Sequence, residues 1–160
     1  MNLKNLKGKN KEINRIYNEN EQLYNDYAHR CGLSSSSLWI LYALYETEEV
    51  YMQNDIAKIV SLPKQTVNSS ISGLIKKGYI ELEHIEMTRN GKAVKLTKEG
   101  EKICKKFIAP LIEAEESALS NMSKAEVETL LMLLNKITLI FKDKIEKIYK
   151  KSARGDKENK

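Results

Sequence analysis

The sequence predicts a mainly α-helical fold carrying one small β-ribbon, and three observations lead there. Apolar residues recur at three- and four-residue spacing through most of the 160 positions, the pattern of helices with one buried face. The spacing drops to two around residues 80–83 and 93–96, and between these stretches lies Asn90-Gly91, a strong hairpin-turn signal. Only two prolines and seven glycines interrupt the chain, which suits long helices.

Taken in order, residues 11–30 place Ile13, Ile16, Tyr17, Leu23, Tyr24, Tyr27 and Ala28 on one face, and Gly32 ends that helix. Ser34, Ser35, Ser36 and Ser37 offer N-caps for a helix over 38–45 that is apolar nearly all round and therefore expected to be buried. A short helix over 54–60 should bury Ile56, Ala57, Ile59 and Val60. Ser61-Leu62-Pro63 breaks it, and a helix over 64–77 follows, with Pro63 tolerated where no N–H partner exists. Its expected buried face is Val67, Ile71, Leu74 and Ile75, and Gly78 stops it. A two-stranded ribbon comes next, with Ile80, Leu82, Val94 and Leu96 inward and a basic tip at residues 89–92. Thr97 caps a helix to residue 120 that Pro110 should kink. Ser123 and Glu126 form a capping box opening the last helix. Its apolar stripe, Val127 to Ile148, spans roughly 33 Å at 1.5 Å per residue, more than one small domain can cover. A second copy of the chain is the simplest cover.

A short helix, a tight turn and a second helix exposing Gln65, Thr66, Asn68, Ser69 and Ser72 make a helix-turn-helix. The amides and hydroxyls of such a face can match the donors and acceptors that base edges present in the major groove. No carboxylate stands on it to repel phosphate, and Lys64 and Lys76 flank it. With the ribbon as a wing, the fold class is a winged helix-turn-helix lobe flanked by N- and C-terminal helices. Lys64, Gln65, Thr66, Asn68, Ser69, Ser72 and Lys76, with Arg89, Asn90 and Lys92 at the wing, are the expected contacts to double-stranded DNA. The other reading of the same surface is a protein-interaction module without specific DNA binding. Such a module has no need to keep carboxylates off that face.

Residues 51–83 (YMQNDIAKIVSLPKQTVNSSISGLIKKGYIELE) and the wing exit KLTKEG resemble the MarR family of winged-helix transcriptional regulators, over about residues 11–150. The resemblance implies a homodimer acting on an inverted repeat as a repressor. It implies dimerisation helices at 11–31 and 101–150 around a DNA-binding lobe at 34–100, while the polar, lysine-rich ends themselves read as a flexible basic tail at 1–10 and a disordered tail at 151–160. It further implies a small aromatic effector, such as an aromatic carboxylate, between the dimerisation helices and the lobe, where Tyr24, Tyr27, Arg30, Trp39 and Tyr42 are the candidate lining. Those five side chains serve core and interface packing equally well. The chain departs from the family pattern at Asn68-Ser69, where a Ser/Thr-Arg pair is common, and at Pro63, where a Ser or Thr cap is common. The wing also lacks the aspartate that often braces its arginine.

The formal charge of +5 agrees with a polyanionic partner without requiring one. No apolar run approaches the ~20 residues that cross a bilayer, and the polar, lysine-rich start has no signal-peptide core, so a cytoplasmic protein is expected. Catalysis is not expected, because no nucleophile–base constellation, glycine-rich phosphate loop or HExxH is present. No cofactor and no metal are expected either. The two histidines, His29 and His84, are too few, and the helix after the wing lacks the histidine pair that some relatives use for zinc. Cys31 and Cys104 read as reduced thiols, Cys104 on an apolar stripe.

Overall fold

The computed structural model describes residues 3–47, 49–84 and 92–155. Its elements are α1 (Leu3–Arg30), α2 (Ser35–Tyr45), β1 (Tyr51–Met52), α3 (Gln53–Ile59), α4 (Lys64–Lys76), β2 (Ile80–His84), β3 (Lys92–Leu96) and α5 (Lys98–Ile103). A π-helical turn (Cys104–Ile108), α6 (Ala109–Ser120) and α7 (Lys124–Gly155) complete them. Two compact units result, residues 1–112 and 113–160.

The first unit is built around α2. Leu38, Ile40 and Leu41 are fully buried among Ile56 and Ala57 of α3, Val67, Ile71 and Leu74 of α4, Ile80, Val94, Cys104 and Ile108. Ser34 caps α2, its hydroxyl accepting the Ser37 N–H at 3.1 Å. The Cys104 thiol lies 3.9 Å from the Leu41 carbonyl, and burial, followed by the Glu101 charge, pushes its pKa up to about 12. It is a packing residue.

Several expectations shift for physical reasons. Helix α1 starts at Leu3 rather than residue 11, so residues 3–10 of the expected tail are helical, and α7 continues to Gly155 through the start of the expected C-terminal tail. Residues 156–160 lie outside the described ones. The sheet has three strands in the order β1-β3-β2, not two. Tyr51 and Met52 pair antiparallel with Val94 and Ala93, which makes β3 the central strand and buries Ala93 as fully as Val94. Ile59 and Ile75 are about two-fifths exposed instead of buried, since each lies at the last turn of its helix, past the core. The helix after the wing does not merely kink at Pro110. It widens into the π turn just before it, where the Ala109 N–H donates to the Cys104 carbonyl. Proline removes a donor and crowds the carbonyl four residues back, and a wider turn relieves both.

In the second unit the capping box is formed. The Ser123 N–H donates to Glu126 Oε2 at 2.8 Å, and the Glu126 N–H donates to Ser123 Oγ at 3.3 Å. The Ser123 hydroxyl, then its N–H, hold the Glu126 carboxyl below its usual range. The α7 stripe is open, with Leu130, Leu134, Ile137, Phe141 and Ile148 all exposed. Among the described residues no helix is long and apolar enough to cross a membrane.

Candidate nucleic-acid interface

Helix α4 separates its two faces cleanly. Val67, Ser70, Ile71 and Leu74 are buried, while Lys64, Gln65, Thr66, Asn68, Ser69, Ser72 and Lys76 are all exposed. The inner face is fixed by more than apolar contact, because Ser70 Oγ lies 2.7 Å from Ser36 Oγ on α2. On the outer face Ser69 donates to the Thr66 carbonyl at 2.8 Å and Ser72 to the Asn68 carbonyl at 2.9 Å. These two hydroxyls therefore present lone pairs outward, whereas Gln65 and Asn68 keep amide groups that can donate and accept at once.

The turn before α4 has a left-handed residue at Ser61, with φ of 54°. The Leu62 N–H donates to the Ala57 carbonyl at 3.1 Å and the Ser61 N–H to Lys58 at 3.2 Å, closing α3 so that Pro63 can start α4 two residues later. Beyond α4, Gly78 sits at φ 72°, and the Lys77 ammonium donates to the Gly32 carbonyl at 3.0 Å, tying the helix exit to the end of α1.

The wing base is braced by the Leu-Thr-x-x-Gly segment. Thr97 Oγ1 donates to the Gly78 carbonyl at 2.6 Å and accepts the Gly100 N–H at 3.0 Å, while the Thr97 N–H donates to the Tyr79 carbonyl. A Cβ on Gly100 would lie 1.9 Å from that same Tyr79 oxygen, so glycine alone fits. Strands β2 and β3 stay in register out to the His84–Lys92 pair. Lys92 is exposed, and Lys95 is ion-paired with Glu83, which cancels one acid of the first wing strand. Arg89 and Asn90 lie outside the described residues.

A family model described as the MarR family matches residues 32–89, the stretch from the end of α1 through both helices of the motif and into the wing. Over these residues the chain matches the MarR family. Solved structures agree on the fold. A MarR family regulator from Neisseria meningitidis is 24% identical over 92% of this chain and 99% of that one, with a TM-score of 0.72. A MarR/EmrR family regulator from Acinetobacter sp. ADP1 is 23% identical over 86% and 95%, with a TM-score of 0.67. MepR of Staphylococcus aureus, solved with DNA, is 24% identical over 80% and 94%, with a TM-score of 0.66. The family is one of DNA-binding transcription regulators, and its fold serves regulation rather than catalysis.

The five residues expected to line an effector site do not form one group. Trp39 stacks at 4.8 Å from Tyr24 and 5.5 Å from Tyr42, both tilted. Tyr27 stands apart, its hydroxyl donating to the Phe107 carbonyl of the π turn at 2.7 Å. Burial first, then the Cys31 thiol beside it, raises the pKa of that hydroxyl. Arg30 is exposed and lines neither of the two clefts that meet at Trp39. One cleft, of about 370 Å³, lies between α1 and α2 beside Tyr24, Asn25 and Ser35, where Ser35 Oγ donates to Asn25 Oδ1. The other, of about 560 Å³, lies between α2, the α2–β1 loop and the end of α3.

Two working parts escape sequence reasoning. The Ser36–Ser70 bond joins residues 34 apart, and a serine at a core position reads as a polar surface residue until its partner is placed. Strand β1 has two residues, too short for an alternation signal. The Gly100 constraint was detectable as a motif, but its cause is a contact between segments 21 residues apart.

Proposed function

We propose that this protein is a homodimeric repressor that binds an inverted repeat through α4 and the wing and lets go when a small aromatic effector docks beside Trp39. The observation that carries the DNA half is the face of α4, where seven exposed side chains hold two cations, five hydrogen-bonding groups and no carboxylate. Gln65 and Asn68 are the base-reading candidates, because one amide can serve an adenine edge in both directions. Lys64, Lys76 and Lys92, with Arg89 and Asn90 at the wing tip, are assigned to the backbone, and Thr66, Ser69 and Ser72 to supporting contacts. MepR, solved with DNA, supports the class of partner.

Dimerisation through residues 11–31 and 101–150, around a lobe at 34–100, follows from the apolar residues left open on α1 and α7. Ile13, Ile16 and Leu23 on one helix, and Leu130, Ile137 and Phe141 on the other, are each 40% or more exposed within the chain. A cytoplasmic location follows from a DNA partner. The effector half rests on the Tyr24–Trp39–Tyr42 cluster and the clefts that flank it.

Selection of bound sequences from a random DNA pool tests the reading. A two-fold symmetric motif is expected, with half-site centres about 10–10.5 bp apart. Recovery of unselected sequence would overturn it in favour of a protein-interaction module.

A further inference from the structure

The larger cleft at Trp39 sets aromatic rings beside carboxylates, and Tyr42, Tyr51 and Val60 of its lining also pack against the core. Trp39, Tyr42 and Glu46 stand at i, i+3 and i+7 on one face of α2, and β1 delivers Tyr51 to the opposite side. Ile59, left two-fifths exposed at the end of α3, supplies an apolar wall. The rim carries the carboxylates of Glu46 and Glu49, and among the described residues no lysine or arginine lines the cleft. Neither carboxylate enters an ion pair among the described residues.

We infer that this cleft binds an organic cation with a bulky aromatic or alkyl body, of the quaternary ammonium or arylphosphonium type. Aromatic ring faces carry negative potential and attract such cations, the more so where water is partly excluded. The two carboxylates add attraction at the rim, and the volume of about 560 Å³ falls in the range of small-molecule sites. An aromatic carboxylate would instead meet two like charges with no counter-ion. The smaller cleft offers it nothing better, since among the described residues its one ionisable group besides tyrosines is Glu21. Arg30, the cation that would serve an anion, lines neither cleft. The inference builds on the effector half of the functional reading and gives that effector its charge.

Two ions of one shape and opposite charge make the test: tetraphenylphosphonium and tetraphenylborate, titrated into the full-length protein. Trp39 is the only tryptophan, so its fluorescence reports on the cleft. The phosphonium is expected to bind saturably, one per protomer, and the borate not to bind. Glu46→Gln with Glu49→Gln should weaken the cation roughly fivefold or more, as expected for removal of two partly exposed ion pairs. Tyr51→Leu should weaken it with the charges intact, whereas Glu21→Gln, in the other cleft, should leave it unchanged. Equal or tighter binding of the borate, or a wild-type phosphonium affinity in the double glutamine variant, would overturn the inference. Repeating both titrations on the complex with selected DNA separates it from the release reading. Cation binding with DNA retained refutes release and leaves the site; borate-driven release refutes the site and leaves release.

Discussion

Gly100→Ala should cripple the wing base, and the size of the effect follows from one close approach. The new methyl would lie 1.9 Å from the Tyr79 carbonyl oxygen and 2.9 Å from its carbon, about 1.5 Å short of an ordinary contact. Both atoms are backbone, so no side-chain rotation relieves the clash, and the start of α5 must move off β2. That movement strains the packing by ~1–3 kcal/mol. It also breaks the Thr97 N–H bond to Tyr79, worth ~0.5–1.5 kcal/mol, and loosens the Thr97 cap, worth ~1 kcal/mol. The total is about 2.5–5.5 kcal/mol. Urea unfolding at a fixed protomer concentration should show it as a midpoint lowered by roughly 1–5 M. Gly73→Ala is the matched control. Its methyl would meet nothing within 4 Å on α4, and helix propensity should stabilise the protein by ~1 kcal/mol. Two glycine-to-alanine changes should thus move the midpoint in opposite directions. A Gly100→Ala midpoint within experimental error of wild type would refute the account of the wing base.

Other expectations follow from the same structure. Gln65→Ala or Asn68→Ala should flatten base preference at one position, at ~1–3 kcal/mol for each bidentate pair removed, as read by competition between single-base operator variants. Lys64→Ala or Lys76→Ala should instead weaken all sequences alike and reduce the salt slope of binding by about one unit. Leu134→Glu with Phe141→Glu places charge on the open stripe of α7, and sedimentation should show dissociation to monomers, whereas an intact double-variant dimer would place the interface elsewhere. Cys104 should resist thiol reagents below pH 9 until the protein unfolds, while half-buried Cys31 reacts first in the folded state. Because the folded Cys104 pKa lies near 12, above its free value, the stability linked to its neutral thiol is full below the free thiol's range. It is lost as pH rises through 12, so unfolding midpoints should fall in alkali.

The order of the main helices and of the two wing strands, the polar face of α4 and the open stripe of α7 were legible in the sequence because each depends on local periodicity. A helix whose buried and exposed positions alternate every three or four residues announces its faces before anything packs on it, as Val67, Ile71 and Leu74 do against Gln65 and Asn68. Capping is local too, and Ser34, Thr97 and Ser123 each cap the helix they precede. Tertiary structure alone decided what depends on residues far apart in sequence. Ala93 is buried because β1, with Met52 paired to it from 41 residues upstream, makes β3 central. Ser70 is buried because Ser36 satisfies it, and Gly100 must be glycine because the Tyr79 carbonyl stands where a methyl would go. The same holds for Trp39. Sequence placed it on an apolar helix, with Tyr42 and Glu46 on the same face, but only folding brought Tyr51 of β1 and Ile59 of α3 to the same cleft. The charge of a pocket is a sum over segments that meet only after folding, and no pattern along a single segment contains that sum.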